Sequence, residues 1–172
     1  LRYIVIPGDC VDGVGVFPGQ EEELVIEDII DQYRALAELL KEVPDDIRIV
    51  MQPGNHDMVR PAEPQPALGE EVAKLFDSNI LQIGNPAYLR IEGRTILSYH
   101  GKSFDDMVNG IKGLSYSQPL KAMEEMLKRR HMAPMYGGKT PFAPERRDYL
   151  VIDEVPDIFV TGHVHGAGVS FY

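Results

Sequence analysis

The sequence predicts an α/β domain, and three features carry that prediction. A strand, an amphipathic helix and a second strand follow one another within the first third of the chain. Further short β-branched segments come later, separated by turns that hold Gly or Pro. The residues able to do chemistry cluster just after strand segments, where open α/β sheets place their ligands. The 172 residues, 44% of them hydrophobic, are enough for one domain with a real core.

The elements follow in order. "RYIVI" reads as a buried strand, ended by Pro7-Gly8. Three glycines and a proline make residues 13–20 a loop. From Glu21 to Val43, Ile26, Ile29, Ile30, Tyr33, Leu36, Ala37 and Leu40 recur at three-to-four spacing, which predicts one amphipathic helix facing a sheet. "PDD" stops it. "IRIVM" is the next strand and completes a βαβ unit with parallel strands. "PAEPQPALG" at 61–69 is a rigid loop, followed by a short helix near 69–76. "NILQIG", "AYLRIEG" and "TILSYH" predict a meander of three strands. A second helix spans 116–130, with Pro119 in its first turn. "GGKTPFAPERRD" is a loop, and "YLVID" and "DIFVTGH" are strand signals. The chain opens inside a strand, and its last residues, "GVSFY", read as a strand cut short. The expectation is a segment of a larger protein.

Composition excludes several classes. Lys plus Arg number 17 against 27 Asp plus Glu, a net charge of -10. That argues against unaided binding to a polyanion, whose affinity comes largely from phosphate neutralisation. It fits a protein that binds cations or works beside a basic partner. No apolar run reaches the length of a membrane span, and the N-terminal residues lack a signal-peptide pattern. The single cysteine, Cys10, allows no internal disulfide and reads as a small buried side chain in a reducing compartment. A cytoplasmic location is expected.

The chemistry lies at four strand ends. "IVIPGD" ends in Asp9, "IRIVMQPGNHD" in Asn55, His56 and Asp57, "TILSYHG" in His100, and "DIFVTGHVH" in His163 and His165. Each piece alone is weak: Asn, Asp and Gly favour turns, and a lone His is more often structural than a ligand. Yet four of the five histidines fall at these ends, and only His131, after "KRR", does not. In an extended His-x-His segment both rings point to one side. Mixed imidazole, carboxylate and amide ligands suit manganese, iron or zinc, whereas magnesium prefers oxygen alone. So many ligands around one carboxylate point to two ions bridged by Asp9, a clamp for attack on a phosphorus ester.

The series "GD", "GNHD", "YHG" and "GHVH" resembles the calcineurin-like metallophosphoesterases. That resemblance implies a two-sheet β-sandwich core flanked by helices. It implies that Asp9 bridges two divalent ions, with Mn2+ favoured over Zn2+ or Fe2+. Asn55, His100 and His163 then bind the second ion and His165 the first. His56 contacts the phosphate as general acid, and Asp57 orients it. The text between the motifs, including "GDCVDGVGVFPGQEEEL" and "KRRHMAPMYGGKTPFAPERRDYLVIDEVPDIF", resembles the small subunits of archaeal family D DNA polymerases, also called DNA polymerase II. This implies a proofreading 3′→5′ exodeoxyribonuclease acting in DNA replication. Its partners are then the large catalytic subunit and a DNA primer 3′ end, with no membrane. The family carries an upstream Asp-x-His strand and further C-terminal strands. Residues 1–172 are thus read as a metallophosphoesterase domain lacking both.

Two alternatives stay open: a non-catalytic polymerase scaffold subunit, and a metallophosphatase acting on small nucleotides. Among the remaining residues, Lys128, Arg129 and Arg130 read as a helix end, where cations favour the dipole. Lys139, Arg146 and Arg147 flank a proline-rich loop and are candidates for contact with DNA or a partner. Arg60 is a candidate phosphate contact, and Asp12 a brace for its loop.

Overall fold

A computed structural model describes all 172 residues. The chain is α/β and divides into two units, Leu1–Arg60 with Gln65–Asn85, and Pro61–Pro64 with Pro86–Tyr172. Each carries its own three-stranded sheet and its own core.

The first unit is the expected parallel βαβ. Strand β1 (Tyr3–Pro7) pairs with β2 (Arg48–Gln52) from Tyr3↔Arg48 to Pro7↔Gln52. Helix α1 (Ile29–Leu40) makes the crossover, and its fully buried Tyr33 packs with Met51, Leu68 and Val72. The helix is shorter than the periodicity predicts. The Asp28 carboxylate accepts hydrogen bonds from the Ile30 and Asp31 amides at 2.8 and 3.0 Å, so the cap sits there. Upstream, the Gln32 side-chain Nε2 donates to the Ile26 carbonyl at 2.8 Å. Gln20–Glu22 form only a 3-10 turn. After the short helix α2 (Glu70–Ala73), β3 (Ile80–Gln82) adds to β2 in parallel. The three-strand meander is therefore corrected: its first strand belongs to this sheet.

In the second unit, β4 (Ala87–Ile91) and β5 (Arg94–Tyr99) form an antiparallel hairpin. Glu92 and Gly93 both take positive φ, 48° and 76°, the pattern that matches a two-residue turn to strand twist. Strand β6 (Ile158–Thr161) lies parallel to β5, from Ile96↔Ile158 to Tyr99↔Thr161. Helix α3 (Phe104–Gly110) and helix α4 (Pro119–Arg129) cover this sheet through Phe104, Met107, Ala122 and Met126. Pro119 occupies the first turn of α4, as expected. Arg130 caps its end in the left-handed region. "YLVID" forms no strand. Its backbone bonds go to the end of α4, where Met132 donates to Leu150 and Ile152 to Arg130, leaving one isolated bridge, His131↔Val151. "GVSFY" forms no strand either. Helix α3 escaped the sequence reading because seven residues give no periodicity to count.

Candidate functional site

In the first unit β1 and β2 run parallel, so their C-terminal ends emerge side by side and bring two loops together. Gly8 and Asp9 turn the chain with φ of 95° and 52°, a conformation that Asp tolerates better than most residues. Asp9 Oδ1 accepts the His56 amide at 2.9 Å, and its Oδ2 lies 3.8 Å from His56 Nε2. Gly13 is pressed onto the same turn. A Cβ there would stand 2.4 Å from the His56 carbonyl oxygen, and its φ is 76°.

Asp57 does not touch the His56 ring. Its carboxylate is buried and accepts three hydrogen bonds. These come from the Tyr33 hydroxyl at 2.7 Å, the Gly54 amide at 2.7 Å and the Cys10 amide at 3.1 Å. One carboxylate thus ties both loops to helix α1. Burial pushes its pKa up, against the pull of those donors. The orientation expected from Asp57 comes from another group: His56 Nδ1 sits 2.8 Å from the Asp12 carbonyl oxygen. Cys10 donates its thiol to the Gln52 carbonyl, and burial together with the Asp57 and Asp9 charges pushes it far above the ordinary thiol range. It is a packed side chain and not a nucleophile. Asn55 is half-buried in the loop after β2, and Arg60 is exposed.

In the second unit β5 and β6 are parallel, and His100 and His163 follow their ends. Their rings meet edge-to-face with centroids 5.1 Å apart. His100 is fully buried. His163 takes a φ of 65°, and its Nε2 lies 3.4 Å from Asp105 Oδ2 on α3. Its Nδ1 is buried and has no hydrogen-bond partner. Burial and the neighbouring His100 push its pKa down, so the ring is kept neutral with a lone pair available. Asp105 is held by Lys102 at 2.8 Å and the Tyr116 hydroxyl at 2.9 Å. Burial opposes these groups, and the net effect leaves its carboxyl below the usual range.

A neutral, oriented imidazole whose far nitrogen faces a carboxylate is the arrangement of a metal-binding histidine. The orphaned Nδ1 beside a second imidazole therefore fits a transition-metal ion. Asp105 and Lys102 were missed because nothing in "GKSFDDMV" marks them apart from an ordinary helix start. His165 is exposed. The premise that brought both rings of "GHVH" to one side fails, because the segment is not extended. His163 is left-handed, and Val164 and Gly166 donate back to Gly162 and Val164. Lys128 and Arg129 pair with Glu125, and Arg130 donates to the Ile152 and Asp153 carbonyls, as a helix end requires.

Comparison with known proteins connects these motifs. The chain is 57% identical over 172 residues to the DNA polymerase II small subunit of Archaeoglobus fulgidus, covering 100% of this chain and 35% of that protein. It is 55% identical over 173 residues to its counterpart in Methanocaldococcus jannaschii, 100% of this chain and 29% of that one. Against the Thermoplasma acidophilum protein the identity is 46% over 172 residues, 100% and 35% of the two chains. The chain thus spans about a third of the length of these curated relatives. No helix is long and apolar enough to cross a membrane. The family model of DNA polymerase alpha/epsilon B subunits matches residues 19–167, from the loop after Asp9 through both histidines of "GHVH". The chain belongs to that family.

Proposed function

We propose that this chain is the core of the metal-dependent 3′→5′ exodeoxyribonuclease subunit of an archaeal family D DNA polymerase. Its fold is then calcineurin-like, its partner the large polymerase subunit, its substrate a DNA primer 3′ end and its location the cytoplasm. One observation supports the reading above others. Both parallel strand pairs end in donors of the right chemistry: Asp9 with the "GNHD" loop in one unit, His100 with His163 in the other.

Asp9, Asn55, His100, His163 and His165 are the proposed ligands, and Mn2+ is favoured by their mixed oxygen and nitrogen donors. Two such ions, held by these residues, would supply Lewis acidity for attack on a phosphodiester. The protein's own groups do the rest. His56 is the general acid. Its Nδ1–H is committed to the Asp12 carbonyl, which leaves Nε2 to deliver a proton to the departing 3′-oxygen. Asp9 holds the His56 backbone through the amide it accepts, so acid and ligand loop move as one piece. Asp57 fixes both loops from beneath through the Cys10 and Gly54 amides. Asp105 keeps the His163 ring turned so that Nδ1 is the donor.

The test compares labelled single-stranded DNA with a simple aryl phosphate, using the polymerase assembled with its large subunit and supplied with manganese. DNA should be digested from its 3′ end. His163→Ala should lose both metal and activity. His56→Ala should lose ~10²–10⁴-fold in rate and keep its metal. Digestion unaffected by His163→Ala would assign the nuclease elsewhere and leave this chain a scaffold. Preference for the aryl phosphate would make it a phosphatase.

A further inference from the structure

The second unit contains a groove of about 590 Å3, within the size range of small-ligand sites. Its walls come from Glu63 and Pro64, the end of α4 and the loop 131–150. Three features set it apart on a chain of net charge -10. First, the basic residues of its loop have no acidic partner. Elsewhere Arg34, Lys41, Lys74, Arg90, Arg94 and Lys128 are neutralised by nearby carboxylates, while Lys112 and Lys121 are single exposed cations without an ion pair. Lys139, Arg146 and Arg147 are exposed and form no ion pair. Of the acids in the groove wall, Glu63 is buried and accepts from the Tyr99 hydroxyl, and Asp148 is paired with His131.

Second, the groove carries aromatic platforms. Tyr136 stacks on Phe142 with centroids 5.9 Å apart and planes 9° apart, yet Tyr136 is 93% exposed, so its outer face is open. The Arg147 guanidinium lies 4.4 Å over the Tyr149 ring. Third, the loop is anchored beside the candidate metal histidines. Asp106 accepts the Lys139 and Thr140 amides at 2.5 and 2.9 Å, and the preceding residue, Asp105, faces His163. Gly138 is required at this anchor, because a Cβ would stand 2.2 Å from Asp106 Oδ1.

Arg147 lines the groove, and Lys139 and Arg146 lie on the same loop outside its lining. Aromatic faces in a groove with cations on the loop that forms it are what a single-stranded nucleic acid needs, since bases stack without regard to sequence and phosphates take the charge. We infer that the 131–150 groove is a docking site for a single strand of nucleic acid. A base lies on Tyr136, and backbone phosphates meet Lys139, Arg146 and Arg147. The inference deepens the nuclease reading and rests on it for the identity of the strand, a DNA 3′ end fed toward His163.

The test measures binding apart from cleavage. Anisotropy of a labelled oligothymidylate is followed with the full chain in EDTA at a series of low salt concentrations. Arg146→Ala with Arg147→Ala should weaken binding at least ~10-fold and flatten the log–log salt dependence by about 1.4, because each lost single-strand phosphate contact removes about 0.7. Tyr136→Ala should weaken binding roughly 10-fold with the salt dependence unchanged, the mark of lost stacking. All three side chains are exposed, and circular dichroism checks that the variants are folded. Variants that bind as the parent does would overturn the site. So would variants that keep DNA affinity and lose the large subunit in a pull-down, which would make the groove a protein-docking surface. A parent chain that binds the oligonucleotide in EDTA but never cleaves it with manganese would refute the nuclease reading and leave the docking site standing.

Discussion

Replacing Tyr33 with Phe removes one oxygen from the centre of the first unit, and the consequence can be worked out from its contacts. Tyr33 is fully buried. Its hydroxyl donates to Asp57 Oδ1 at 2.7 Å and accepts the Met58 amide at 3.0 Å. Phe keeps the ring and its edge-to-face contact with Phe76, so no large cavity opens. What is lost is a hydrogen bond to a charged acceptor, ~1.5–3 kcal/mol, and an acceptor for a part-buried amide, about 1 kcal/mol. The expected loss is about 3 kcal/mol at neutral pH. Guanidinium denaturation followed by circular dichroism should show a lower midpoint with little change in slope. In a cycle with Asp57→Asn the two substitutions should couple by at least ~1 kcal/mol.

The pH dependence gives a second readout. Burial raises the folded Asp57 pKa above its unfolded value, so between the two the native state binds the proton more tightly. Stability therefore falls as pH rises across that window and is level above it. Tyr33→Phe removes a donor to the carboxylate, raises the folded pKa further and extends the fall to higher pH. A loss under ~0.5 kcal/mol, additive behaviour with Asp57→Asn, or a window that narrows would refute the account of Asp57 as the tie between the two loops.

Three further outcomes follow from single contacts. Gly13→Ala should destabilise the chain by ~1–3 kcal/mol in the same denaturation assay, because its Cβ would overlap the His56 carbonyl at 2.4 Å in a left-handed backbone; an unchanged midpoint would show that the loop shifts freely. Asp105→Asn should lower manganese affinity ~10–100-fold in calorimetric titration while circular dichroism stays unchanged, since it frees the His163 ring to turn; unaltered affinity would remove Asp105 as a positioning residue. Cys10 should react with a thiol reagent at pH 8 far more slowly than free cysteine, its thiol being buried beside two carboxylates; a rate matching free cysteine would mean that the loop opens.

Strand ends, and the donors they carry, were written into local sequence. Pro7-Gly8 and Pro53-Gly54 stop two hydrophobic strands at fixed points, and polar residues cluster in the turns that follow. That is why Asp9, Asn55 and His56 stand out in the sequence, whereas His100 and His163 stand out only as histidines that follow strand segments. Their partners do not. Asp12 holds His56 through a backbone carbonyl, which carries no side-chain signature. The family resemblance implies that Asp57 orients His56, yet successive residues in a turn can point apart, and its carboxylate serves Tyr33, Cys10 and Gly54. The extended geometry assumed for "GHVH" depends on sheet pairing beyond Thr161, which does not occur, so strand alternation does not apply to His163 and His165. Strand partnership was equally hidden. Ile80–Gln82 has the same local character as Ala87–Ile91, and only long-range backbone pairing assigns the first to β2 and the second to β5. Local pattern sets where a strand stops, because turn residues act over a few bonds. Which strands meet, and which side chain faces which, is settled by packing between residues far apart in the chain.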